Sequence, residues 1–93
     1  MSRSDWAARV AAVVRAIPRG KTLSYAQVAL RANQPGAARS VVRALHVLTG
    51  VPWWRVLRSD GTVAPQMMAK QAPRLEREGV KLDGRRVPRS ARL

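Results

Sequence analysis

The sequence predicts a small, mainly α member of the α+β class: a helical, winged-helix-like domain with a helix-turn-helix and short β-hairpins. Its 93 residues suffice for one hydrophobic core but not for two. Apolar residues recur at helical spacing through the first half, in "DWAARVAAVVRAI" and "AARSVVRAL". After Gly50 the pattern gives way to short alternating stretches around the Asp-Gly pairs at 60–61 and 83–84, a frequent composition of hairpin turns.

Taken in order, residues 5–17 place Trp6, Val10, Val13, Val14 and Ile17 on one stripe, with Arg9 and Arg15 outside it. Asp5 is a fair N-cap, and Pro18 with Gly20 ends the helix. In "LSYAQV", Ser24 and Gln27 have the spacing of a capping box, while Leu23 and Val28 have that of a hydrophobic staple. A short helix from Tyr25 to about Arg31 should follow. "NQPG" at 33–36 reads as a turn, with Pro35 near the start of the next helix, Ala37 to Leu48. That helix carries Val41, Ala44, Leu45 and Leu48 on one face and Arg39, Arg43 and His46 on another. A short helix, a turn containing Gly and a second helix with a basic stripe form a helix-turn-helix pattern.

Beyond Gly50, "WRVLRSDGTVA" reads as a hairpin turning at Asp60-Gly61. Pro73 fits the first turn of a short helix "PRLERE" closed by Gly79, and "VKLDGRRV" offers a second hairpin. The domain proper is expected over residues 1–84. Residues 85–93, with four arginines and Pro88, are expected to form a loose basic tail.

Eighteen Lys and Arg against five Asp and Glu give a formal charge of +13, an imbalance relieved by a polyanion, and nucleic acid is the default partner. Fifteen of the eighteen are Arg, which suits planar hydrogen bonding to phosphate and stacking on bases. No apolar run approaches the roughly 18 residues of a membrane span, nor does the N-terminus resemble a signal peptide, so a soluble, intracellular protein without a membrane partner is expected. The absence of cysteine excludes disulfides, thiolate metal sites and thiol nucleophiles. Asp5, Asp60 and Asp83 read as cap and turn residues, Glu76 and Glu78 fall on different sides of a helix, and His46 lies on the basic face. Neither an acid–base pair nor a set of metal ligands emerges. The chain is expected to be no enzyme and to carry no cofactor. Lys21, Arg31 and Arg43 are phosphate-contact candidates by charge and face.

Four blocks, "IPRGKTLSYAQVA", "PGAARSVVRAL", "PWWRVLRSDGTV" and "LEREGV", occur in an order and at distances that together resemble the DNA-binding domain of O6-alkylguanine-DNA alkyltransferases. In that family the third block reads Pro-Cys-His-Arg-Val and the Cys takes the alkyl group from the base. Here Trp53 stands at the Cys position and Trp54 at the His position, so the chain resembles the alkyltransferase-like branch. An indole offers an N–H donor but no nucleophilic lone pair, so alkyl transfer should be lost while binding survives. The resemblance implies that Arg39 is a finger entering the duplex from the minor groove, and that Ala37, Ala38 and Ser40 let its helix approach closely. It also implies that Tyr25 and Trp53 wall a pocket for the extruded base, with Trp54 packed beneath. Ser24 and Thr22 are expected near the DNA backbone. Glu78 matches the Glu supporting the family's catalytic His, and Arg55 the Arg of the third block.

The implied function is recognition of O6-alkylguanine in double-stranded DNA, nucleotide flipping, and marking of the site for nucleotide excision repair proteins, by a monomer in the cytoplasm, at the nucleoid. The rival readings are a helix-turn-helix transcription regulator and a basic RNA-binding protein.

Overall fold

The computed structural model describes residues 3–93, so the first residues of the expected domain lie outside the described ones. Its elements are α1 (Arg3–Arg15), β1 (Leu23–Ser24), α2 (Tyr25–Arg31), α3 (Ala38–Val47), β2 (Val56–Leu57) and α4 (Met68–Arg77), with single 3₁₀ turns at Trp53–Arg55, Pro65–Met67 and Arg89–Ala91. The expected mainly α fold with little sheet is what forms.

α1 begins two residues before Asp5, so this side chain lies in the first turn and is not the cap. Its charge there still suits the positive end of the helix dipole. The capping box forms as the spacing predicts: Ser24 Oγ accepts from the Gln27 backbone N–H at 3.1 Å, and Gln27 Oε1 accepts from the Ser24 N–H at 2.8 Å. Between α2 and α3 the chain reverses through Asn33 and Gly36, both with positive φ (64° and 83°). Gly accepts that conformation freely, and Asn more readily than most residues.

Two apolar clusters hold the molecule together. The first joins Val10, Val14 and Ile17 to Leu23, Val28, Val41 and Val56, and the second joins Leu57, Val63, Leu75, Val80, Val87 and Ala91. The segment 53–57 sits between them and alternates: Trp53 and Val56 pack on the first cluster, Trp54 and Leu57 on the second. Two adjacent tryptophans thus serve two different clusters, where the chain length suggested a single core.

β2 does not form the expected hairpin. It pairs in parallel with β1, Leu23 opposite Val56 and Ser24 opposite Leu57. Both residues of β2 are buried, and such a strand finds its partner inside the domain and not in a solvated ribbon. The Asp60-Gly61 turn exists, closed by the Arg58 N–H donating to the Thr62 carbonyl at 3.1 Å, but its return arm pairs onward with Arg85 and Arg86. In the second hairpin Asp83 and Arg86 exchange two backbone hydrogen bonds of 2.9 Å around Gly84-Arg85. Gly84, with φ 58°, takes the first central position, as in a type II′ turn.

Pro73 lies inside α4, not at the start of a helix. An interior proline costs a helix roughly 3 kcal/mol, which tertiary burial here offsets: Gln71, Ala72 and Leu75 flank it and are buried. Gln71 Nε2 donates to the carbonyls of Trp54 and Val56, both at 2.9 Å, which holds the helix against β2 before the proline is reached.

The tail is packed rather than loose. Val87 is 0% exposed and Ala91 6%. The Thr22 N–H donates to the Ala91 carbonyl at 2.7 Å and the Leu93 N–H to the Thr22 carbonyl at 2.9 Å. Two apolar anchors among the arginines suffice to lay the segment along β1. It also crosses Gly61, where a Cβ would come 2.5 Å from Arg92 Nη1. Val87→Ala should therefore lower stability by about 2 kcal/mol, read from chemical denaturation; an unchanged midpoint would mean that the tail contributes nothing to the core.

Candidate nucleic-acid interface

Arg39 is the second residue of α3, exposed, and its side chain makes no hydrogen bond or ion pair with any described residue. Arg43 and His46 follow on the same face, one and two turns later, and are also exposed. Ala37, Ala38 and Ser40 are only partly exposed and present little bulk at the start of the helix. α1 steadies this end of the motif: Trp6 Nε1 donates to the Ser40 carbonyl at 3.3 Å, and Arg9 Nη2 donates to the Ala32 carbonyl at the end of α2. The result is a basic helix face whose arginines make no ion pair with any described residue. Arg31, at the end of α2, is exposed too. Arg43→Ala should weaken binding to every duplex alike and reduce the slope of log affinity against log salt by about one, which a salt titration checks.

Two residues expected at the DNA backbone are engaged with the tail. Thr22 is 0% exposed, and its Oγ1 donates to the Ala91 carbonyl at 3.0 Å. It belongs to the seam between β1 and the tail and cannot reach a phosphate. Lys21 is at the surface, but its Nζ donates to the Ser90 carbonyl at 2.7 Å, so the tail holds it. Ser24 is partly exposed, with its hydroxyl oxygen engaged in the cap.

Beside α3 lies a cleft of about 620 Å³, lined by Tyr25 from α2, Leu45 and His46 from α3, Trp53, and Met67 and Lys70 from the segment beyond the turn. Tyr25 and Trp53 therefore meet in one cavity, and Trp54 does not line it. Burial pushes the Tyr25 hydroxyl above its usual range, so it remains a protonated donor at neutral pH.

Trp54 packs edge-on to Trp53, with ring centroids 6.1 Å apart and planes at 84°. Its Nε1 donates to Glu78 Oε2 at 2.9 Å. Glu78, whose side chain is 4% exposed, also accepts Arg55 Nη2 at 2.7 Å and the Gly20 N–H at 2.9 Å. Arg55 in turn donates through Nη1 to the Ile17 carbonyl at 2.9 Å. Burial by itself would raise the Glu78 pKa, but the hydrogen bonds from Arg55, Gly20 and Trp54 outweigh it and hold the carboxyl at about 2. The indole thus keeps the carboxylate contact through its only donor, and the cluster anchors the ring that packs edge-on to Trp53.

Three participants have no signature in the local sequence. Arg58 lines the cleft just after β2. Gln71 holds the Trp54 carbonyl, and the Arg74 guanidinium lies 5.4 Å and 5.7 Å from the ring centroids of Trp53 and Trp54. Gln71 and Arg74 become meaningful only once α4 is continuous through Pro73, which the composition argued against.

The family described as "6-O-methylguanine DNA methyltransferase, DNA binding domain" matches residues 5–80. The DNA base-flipping protein of Vibrio parahaemolyticus is 35% identical over 79 residues, covering 80% of this chain and 79% of that protein. Alkyltransferase-like protein 1 of Schizosaccharomyces pombe is 36% identical over 89 residues, covering 88% and 82%. Among solved structures, S. pombe Atl1 in complex with damaged DNA containing O6-carboxymethylguanine superposes with a TM-score of 0.83 at 34% identity, covering 89% of this chain and 83% of that one.

Proposed function

This chain belongs to the family of 6-O-methylguanine DNA methyltransferase DNA-binding domains, and on that premise we propose that it is a non-catalytic reader of alkylated guanine in duplex DNA. The observation that carries this is the position of Trp53. An indole walls the cleft beside Tyr25 at the sequence position where alkyl-transferring relatives keep a cysteine, in a chain that has no cysteine at all. Such a site can hold an alkylated base against a flat apolar wall but cannot accept the alkyl group.

The recognition helix meets the DNA from the minor groove, and Arg39 enters the stack. Extruding a nucleotide costs a few kcal/mol. A guanidinium that stacks in the gap and hydrogen-bonds the orphaned partner offsets that cost. The rotated guanine lies in the cleft between Tyr25 and Trp53. A protein that binds without repairing acts by marking, and a minor-groove wedge that kinks the duplex gives nucleotide excision repair proteins a shape to recognise. One motif serves one lesion, so the protein works as a monomer, at the nucleoid in the cytoplasm. The test is competition between matched duplexes at one stated salt concentration, one carrying a single O6-methylguanine. Preference for the lesion is expected; equal affinity for both would leave a regulator or a general nucleic-acid binder.

A further inference from the structure

His46 on α3, Arg58 after β2 and Lys70 on α4 all line the cleft beside Trp53, and no Asp or Glu does. Among the described residues, none of these three side chains makes a hydrogen bond or an ion pair. Asp60, the acidic group that senses the Arg58 charge, lies outside the cleft, and its carboxylate accepts from both the backbone and the hydroxyl of Thr62. The remaining wall is largely apolar, from Val42, Leu45, Trp53 and Met67. A neutral alkyl group would satisfy the apolar wall and leave the cations to water. A substituent with a short carbon arm ending in an anion would satisfy both.

Building on the lesion-reading function proposed above, we infer that this cleft favours O6 substituents that end in a carboxylate over neutral substituents of the same shape, with Arg58 and Lys70 as the specificity-determining residues. Arg58 offers a planar fork matched to a carboxylate, and Lys70 a mobile point charge. Charge-assisted hydrogen bonds are roughly twice as strong as neutral ones, which at the cleft corresponds to about tenfold in affinity. DNA phosphates are the competing anion for the same cations, so the comparison must hold them constant.

Three duplexes identical except at one guanine do so: unmodified, O6-carbamoylmethyl and O6-carboxymethyl, the last two differing only by amide against carboxylate. At fixed ionic strength the protein should bind the carboxymethyl duplex about tenfold more tightly than the carbamoylmethyl one. In the Arg58→Gln/Lys70→Gln double variant that ratio should fall to near one while the preference of carbamoylmethyl over guanine persists. Both side chains are exposed, so the variant should fold, which circular dichroism verifies. Parity between the two modified duplexes in the unaltered protein overturns the inference and leaves lesion reading intact. So does a tenfold ratio that survives in the double variant, or a uniform loss across all three duplexes, which would assign these cations to phosphates. Equal binding of all three duplexes by the unaltered protein overturns the inference together with the function beneath it.

Discussion

Arg39→Ala is expected to bind undamaged duplex almost as well as the unaltered protein while losing most of its preference for a duplex with O6-methylguanine. The side chain is exposed and makes no hydrogen bond or ion pair with a described residue, and alanine is the better helix former, so the fold should be unaffected. What is lost is the group that fills the gap in the stack. A stacked planar group is worth roughly 1–3 kcal/mol, so the lesion-to-guanine ratio should fall by about 30-fold. Arg39→Lys should recover little of it, since an ammonium neither stacks nor presents a fork to the orphaned base. Fluorescence of a base analogue opposite the lesion gives an independent readout: it should rise on binding the unaltered protein and stay quenched with the alanine variant. If Arg39→Ala lowers affinity for both duplexes by the same modest factor, the residue is an ordinary phosphate contact.

The second large effect concerns stability. Glu78→Ala removes the acceptor for Arg55, for the Trp54 indole and for the Gly20 N–H at once. Stranding a largely buried arginine costs about 3 kcal/mol or more, a fall of roughly 15 °C in melting temperature for a domain of this size. The same carboxylate sets the acid sensitivity of the protein. Its folded pKa, about 2, lies below the ordinary 4.5, so the unfolded chain binds the proton more readily. The contribution is complete above about pH 4.5, amounts to about 3 kcal/mol there, and is lost as the pH falls toward 2. Denaturation at a series of pH values should show this decline in the unaltered protein. Glu78→Gln, which cannot titrate, should be less stable at neutral pH and lack this component of the acid decline. An identical pH profile for the two proteins would show that the ion pair has no net role. Because Trp54 packs edge-on to Trp53 above this cluster, variants at Glu78 should also blunt the lesion preference at temperatures where they remain folded.

Legibility in the sequence followed the range of the forces involved. The capping box at Ser24, the positive-φ turn before α3 and the basic stripe of Arg39, Arg43 and His46 depend on residues three or four apart, so the chain displays them locally. The replacement of Cys and His by Trp53 and Trp54 is equally legible, because it is a matter of side-chain chemistry within one recognisable block. The later half is different. Hydrophobic alternation and an Asp-Gly pair suggested that Val56 and Leu57 fold back on themselves, yet their partner is β1, more than 30 residues away. Pro73 argued for a helix start until the burial of Gln71, Ala72 and Leu75 is considered. Thr22 read as a surface hydroxyl and the arginine-rich tail as loose, and each is buried or anchored by the other.

By itself, then, the sequence determined the helix-turn-helix, its charge, the family and the absence of a thiol, because these follow from short-range geometry and from which functional groups are present. Only the tertiary structure decided that β2 pairs with β1, that Glu78 is shared between an indole and a guanidinium, and that Arg58 and Lys70 line the same cavity. Those outcomes depend on long-range burial and on the pairing of distant backbone groups, terms large enough to override local propensity and invisible until the chain has closed on itself.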